Sequence, residues 1–214
     1  MIPIRRWDRG GVRRLAAVDA YQFPASVRQR FALVHPGLTS AHIALVQDAA
    51  RQWFRLAARH PRVRLSMPSV AADHLWHEFV LHTREYAQFC DAALGRFLHH
   101  VPETAPTSGD AVANQGRALQ TTFRLAQEDE GIERTRLPLL FRVDRETGIP
   151  GGRRYLADCG GRGICYELPG AVCLKHVGGV ETVSRRFSPY RPPDADPAAG
   201  PQTAGWGGCG SGGG

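Results

Sequence analysis

The chain has 214 residues, 43% of them hydrophobic and 22% charged, which is enough to bury the core of one ordinary globular domain. Its formal net charge is +7 at pH 7, and Lys175 is its only lysine, so arginine supplies the excess positive charge. No apolar run approaches the roughly 18 residues that a membrane span requires. No apolar region follows the first arginines, so no secretory signal is predicted, and we expect a cytoplasmic protein without a membrane segment.

Residues 1–21 are predicted to form a mobile basic arm, because they show no clear helical period and contain the pair Gly10-Gly11. Much of the net charge lies at this end of the chain. Within the first thirty residues, seven arginines stand against two aspartates: Arg5, Arg6, Arg9, Arg13, Arg14, Arg28 and Arg30 against Asp8 and Asp19. We expect the arm to bind polyanions weakly, with an affinity that falls steeply as the salt concentration rises.

Residues 22–147 are predicted to form a single compact helical domain, so the fold class is mainly α. A short helix should begin after Pro24 and end at the turn formers His35-Pro36-Gly37. Apolar residues at steps of three and four predict a longer amphipathic helix over 41–59, with Ser40 as its N-cap.

The next part of this domain, residues 70–94, is predicted to form an αα-hairpin. Ser69 is a suitable N-cap for its first helix, and Thr83 is a suitable N-cap for its second. Gly95 is typical of the left-handed residue that follows the end of a helix. The hairpin and the loop after it contain five of the nine histidines, so this region is the first candidate for metal binding or catalysis.

Four side chains of this region are candidate metal ligands. Asp73 and His77 lie one turn apart on one face of the first helix, at about 100° per residue. The returning helix and its loop would bring Cys90 and either His99 or His100 toward that face. An oxygen, a sulfur and two nitrogens suit Zn²⁺ better than Mg²⁺ or Ca²⁺. The candidate zinc site is therefore Asp73, His77, Cys90 and His100.

The same residues also have a structural explanation without a metal. Asp73 can hydrogen-bond an imidazole, and Cys90 can pack as a small buried apolar side chain. The neighbours His99 and His100 can bind the last carbonyl groups of the second helix. Both explanations stay open on the sequence.

A metal-dependent hydrolase is the alternative function for the hairpin. It would use metal ligands and a general base drawn from the same stretch: Asp73, His77 and His100, with Glu78 or Glu85. The motif formed by His77, Glu78 and His82 is HExxxH, one residue longer than that of the zincins, so its imidazoles diverge by about 140° on a straight helix. The sequence also has no GxSxG, no P-loop and no CxxC.

After the hairpin, a helix is predicted over 113–127. The apolar run around Pro138 fits either a short helix or an edge strand. Residues 148–190 are predicted to be an irregular segment that contains glycine and cysteine, with short strands around 172–174 and 181–184.

The last part of the chain combines cysteines with turn formers. Cys159 and Cys165, near Asp158, make a second candidate cluster of ligand-type residues. Residues 191–214 are mostly turn formers and end in a run rich in glycine. Such a segment cannot bury enough apolar surface to offset its ordering entropy, so a disordered tail is predicted.

Five short motifs are shared with a known family: D-x-x-W-H at 73–77, T-R-E-Y-x-x-F-C at 83–90, G-R-F-L-H-H-x-P at 95–102, L-P-L-L-F at 137–141 and G-I-P-G-G at 148–152. Over about residues 35–160 the chain resembles the glycine-rich domain-containing protein-like family. The resemblance brings no catalytic residues with it. We therefore predict a non-enzymatic binding or scaffolding protein, whose histidine-rich hairpin is structural or holds a metal ion.

Overall fold

The computed structural model describes residues 9–101, 109–159 and 170–177, and within them the chain is mainly helical, as predicted. The described α-helices are α1 Arg9–Ala20, α2 Ala25–Val34, α3 Ser40–Arg59, α4 Val70–Leu81, α5 Thr83–Phe89, α6 Gly109–Glu130 and α7 Leu139–Thr147. A π-helical turn, Cys90–Leu94, continues α5. None of the described helices combines the length and the apolar character needed to cross a bilayer.

Two short strands follow the helices. Strand β1, Arg154–Leu156, pairs in parallel with β2, Ala171–Cys173, and Leu156 lies opposite Cys173. The strand expected around 172–174 is therefore present, whereas β1 was not predicted. The strand expected at 181–184 and the tail at 191–214 lie outside the described residues.

Helix α3 is the centre of the fold, because α1, α4, α6 and α7 all pack against it. Its predicted apolar stripe is buried and includes Val46, Trp53 and Phe54. Phe54 and Phe79 pack edge to face with ring centroids 6.3 Å apart, which joins α3 to α4. Each large apolar side chain buried in this way stabilises the fold by about 1.5–3 kcal/mol.

The N-terminal arm is the main correction to the predicted fold. From Arg9 onward it is a helix, and Val18 is fully buried against the core. Asp19 also forms an ion pair of 3.3 Å with Arg55 of α3. The segment has weak helical signals and two glycines, but burial of one of its faces stabilises it as a helix. Residues 1–8 of the predicted arm lie outside the described residues.

Most predicted helix boundaries are confirmed to within one residue, whereas α6 begins four residues before and ends three residues after the predicted range 113–127. Thr39, one residue before the predicted Ser40, is the N-cap of α3 and accepts a hydrogen bond from the His42 N–H. Ser69 caps α4 as predicted. Thr83 is the first residue of α5 rather than its N-cap. Gly95 has φ 67° and follows the π-helical turn.

The apolar run around Pro138 is a helix, because Pro138 serves as the N-cap of α7. This helix carries Asp144, whose buried carboxylate accepts four hydrogen bonds. The donors are the Ser69 hydroxyl and the N–H groups of Val70, Ala71 and Arg153, at 2.6–3.0 Å. One carboxylate therefore connects the N-terminus of α4 with the residue that precedes β1.

Candidate functional site

Helices α4 and α5 form the predicted hairpin, and two of its four candidate ligands meet. His100 Nε2 lies 3.0 Å from Asp73 Oδ1, and the His100 side chain is only 9% exposed. The indole of Trp76 packs edge to face against the His100 ring, with centroids 4.5 Å apart. The neighbouring His99 is exposed and lies against Phe97, so His100 is the residue that pairs with Asp73.

The other two candidates do not join this pair in a common site. His77 is exposed, although its ring centroid is 5.6 Å from that of His100. Cys90 is buried beside Tyr86, on the aromatic core. No three of Asp73, His77, Cys90 and His100 place their ligand atoms within 4.8 Å of one another.

Tyr86 explains how the loop after the hairpin is held. Its hydroxyl accepts a hydrogen bond of 3.0 Å from Trp76 Nε1 and donates one to the carbonyl oxygen of Leu98. Burial raises the pKa of the Tyr86 phenol, so this hydroxyl keeps its proton at neutral pH. The loop that carries His100 is thus fixed to α4 and α5 by neutral hydrogen bonds.

Two further polar groups of α4 contact α2 and the residue that follows it. Glu78 is buried, and its Oε2 lies 2.6 Å from Arg30 Nε. His74 Nδ1 lies 3.1 Å from His35 Nε2, and the two rings are nearly parallel. Burial and the neighbouring His74 lower the pKa of His35.

A second cluster lies at the strand pair. Cys159, Cys173 and His176 place one ligand atom each within 4.8 Å of one another, and they are the only such group among the described residues. Cys159 Sγ is 3.8 Å from Nδ1 and 3.9 Å from Nε2 of His176. Both cysteines are free and buried, while His176 is partly exposed. This cluster could hold a metal ion.

The turn after β2 positions two of these groups. The backbone N–H groups of His176 and Val177 donate to the Cys173 carbonyl oxygen at 3.1 and 3.0 Å. The Leu174 N–H donates to the Leu156 carbonyl oxygen at 2.9 Å, which fixes the turn against β1. Burial raises the pKa of the Cys173 thiol, and the nearby Cys159 raises it further.

Sequence reasoning missed this cluster, although part of its signal was present. Cys173 and His176 form a C-x-x-H motif, which differs from CxxC in its second ligand. Cys159 lies fourteen residues before Cys173 and meets it only because β1 pairs with β2. Cys165, the predicted partner of Cys159, lies outside the described residues. Asp158, named with them, is exposed and lies 3.6 Å from the Lys175 ammonium.

These features define a mainly helical protein with a small strand pair that carries a Cys/His group able to hold a metal. A family model described as UCP032817-like matches residues 13–172, and the chain therefore belongs to the UCP032817-like family. The match includes the hairpin and Cys159 and ends one residue before Cys173. No curated protein and no solved structure matches the chain. The resemblance to the glycine-rich domain-containing protein-like family stays a prediction.

Proposed function

We propose that this chain is a non-enzymatic binding or scaffolding protein of the cytoplasm, and that its histidine-rich hairpin is a structural element. One observation carries the proposal: the two acidic groups of the first hairpin helix are already paired with other side chains of the protein. Asp73 pairs with His100 at 3.0 Å, and Glu78 pairs with Arg30 at 2.6 Å. Among the described residues, Cys90, Cys159 and Cys173 are buried free thiols, which favours a reducing compartment.

The alternative hydrolase has less support. A general base must reach the proton that it removes, and Glu78 is buried in its ion pair with Arg30. Glu85 is exposed, and its negative charge helps burial to raise the pKa of Tyr21 to about 12. The Glu85 carboxylate, which is on α5, thus lies near the Tyr21 phenol. A catalytic metal site also needs three protein ligands and one open position. The predicted ligands do not provide three converging atoms.

Because the proposed role of the hairpin is structural, a binding partner must contact another surface of the protein. Arg13 and Arg14 are exposed on α1, whereas Arg30 is neutralised by Glu78. We therefore expect the basic end of the chain to bind polyanions only weakly. Binding to heparin, followed by fluorescence anisotropy, should fall steeply as salt rises and should weaken in Arg13→Gln/Arg14→Gln. Tight binding that persists at high salt would contradict this expectation.

The experiment for the hairpin separates a structural role from a metal-binding or catalytic one. Asp73→Asn/His100→Gln should lower the denaturant midpoint and leave the metal content of the untagged protein unchanged. His99→Gln is the matched control, because His99 is exposed and adjacent in sequence. Loss of metal in the double variant, or loss of an ester- or phosphoester-hydrolysing activity found in the wild type, would overturn the proposal.

A further inference from the structure

We infer that Cys159, Cys173 and His176 form a zinc site that clamps the segment after β1 to β2 and the turn that follows it. The inference is independent of the role of the hairpin, because it uses none of the hairpin residues. It rests on the convergence of three ligand atoms, on the turn that positions two of them, and on the elements that hold that turn in place.

The distances between the three ligand atoms suit a zinc ion. With Zn–S bonds of about 2.3 Å and Zn–N bonds of about 2.0–2.1 Å, sulfur and nitrogen atoms at two corners of a tetrahedron lie about 3.6 Å apart. Cys159 Sγ is 3.8 Å from His176 Nδ1. Cys173 Sγ completes a triangle in which every separation is within 4.8 Å. A zinc ion therefore fits between the three atoms after small movements of the side chains.

The turn that follows Cys173 places two of the ligands together. The backbone N–H groups of His176 and Val177 donate to the Cys173 carbonyl oxygen at 3.1 and 3.0 Å, which closes the turn. Cys173 Sγ and a ring nitrogen of His176, three residues further on, therefore lie within 4.8 Å of each other. A C-x-x-H segment shaped in this way presents two ligands on one rigid unit.

The surrounding fold holds the cluster in place on both sides. Gln120 of α6 donates a hydrogen bond of 3.0 Å from Nε2 to the Leu174 carbonyl oxygen, and Leu174 is itself buried. On the other side, β1 is fixed by the Tyr155 hydroxyl, which donates to the Pro68 carbonyl oxygen at 2.8 Å. The cluster therefore stands between elements that are bound to the helical domain, as a structural site requires.

The chemical types of the three ligand atoms determine which metal ion the site prefers. Two thiolates and one imidazole suit Zn²⁺, whereas Mg²⁺ and Ca²⁺ require oxygen ligands. The described residues supply three of the four positions of a tetrahedral site, and an ion bound there closes the connection between Cys159 and Cys173. Closing a loop through a metal stabilises the folded state, because the unfolded chain has no such preformed site.

The test uses Co²⁺ as a spectroscopic substitute for zinc in the full-length chain without a histidine tag. The wild type should bind one Co²⁺ and show the intense visible bands and the sulfur-to-cobalt charge transfer of a tetrahedral thiolate site. Zinc should displace the cobalt and abolish both signals. Cys159→Ser and Cys173→Ser should each weaken metal binding by about 100-fold or more.

Two further variants keep the test decisive if a serine variant fails to fold. His176→Cys retains a ligand at the same position, so it should still bind Co²⁺, with stronger charge transfer from the added thiolate. Cys90→Ala removes a buried cysteine outside the cluster and should leave the spectrum unchanged. The inference is overturned if the wild type shows no thiolate-to-cobalt band, if His176→Cys loses the metal, or if Cys90→Ala is the variant that loses it.

Discussion

The hairpin and the strand pair differ in how their ligand-type side chains are used. In the hairpin such residues are numerous, but Asp73 already binds His100 and Cys90 belongs to the core. At the strand pair they are few, yet Cys159, Cys173 and His176 converge. The comparison teaches that the density of histidine in a stretch of sequence is a poor guide to a metal site. What matters is whether the backbone aims the side chains at one point.

Asp144 links the two regions, and its removal should have the largest effect. Asp144→Ala would leave the N–H groups of Val70, Ala71 and Arg153 and the Ser69 hydroxyl without their buried acceptor. We expect a loss of about 3–5 kcal/mol in the free energy of unfolding, measured by urea denaturation. Asp48→Ala is the control, because Asp48 is exposed in its ion pair with Arg51. Equal stability of the two variants would contradict the role of Asp144.

Within the hairpin, His100 should matter more than His77. His100→Ala leaves Asp73 without its partner and removes a nearly buried ring from Trp76, so we expect a loss of about 1–3 kcal/mol. His82→Ala should be intermediate, since its Nδ1 lies 2.9 Å from the Glu78 carbonyl oxygen. His77→Ala should change stability by at most about 0.5 kcal/mol, as exposed positions do. A denaturation curve for each variant tests the order, and a large effect at His77 would restore the predicted site there.

The smallest expected effect is the pH dependence of the α2–α4 contact. The pKa of His35 in the folded protein is lowered by burial and by His74, whereas the unfolded chain has the ordinary value of about 6.5. Below that pH the unfolded chain takes up the proton first, so stability falls as the pH decreases. It keeps falling until His35 is protonated in the folded protein too. Arg30 and Glu78 lie on the same two helices, and their side chains form an ion pair of 2.6 Å.

Denaturation at pH 7.5 and pH 5.5 measures this effect. We expect the wild type to lose up to about 1 kcal/mol at the lower pH, because the contact is partly exposed and solvent screens it. His35→Gln should show a weaker pH dependence than the wild type. The explanation fails if the variant and the wild type respond equally, or if acid stabilises the wild type.

Much of the helical fold could be predicted from local patterns. The stripe of apolar residues in α3, the Ser69 cap of α4 and the turn residue Gly95 all act within a few residues, and the structure agrees with each. Helix α1 was missed because its stability depends on burying Val18 against α3, which is a contact with a distant part of the chain. Local sequence patterns contain little information about such contacts.

The candidate site was harder to predict for the same reason. The pairing of Asp73 with a histidine and the burial of Cys90 follow from the proposed hairpin, and the sequence allowed both. The π-helical turn that begins at Cys90 places this side chain in the core and not beside His77. The meeting of Cys159 with Cys173 depends on the parallel pairing of two three-residue strands, and strands this short give almost no periodic signal.

The most direct test of the central claim is the zinc content of two matched variants of the untagged, full-length protein. The first carries Asp73→Asn, His77→Gln and His100→Gln, and the second carries Cys159→Ser and Cys173→Ser. Elemental analysis after purification in zinc-containing medium should give one zinc per chain for the wild type and the hairpin variant, and almost none for the cysteine variant. Zinc that is lost from the hairpin variant and retained by the cysteine variant would contradict the account.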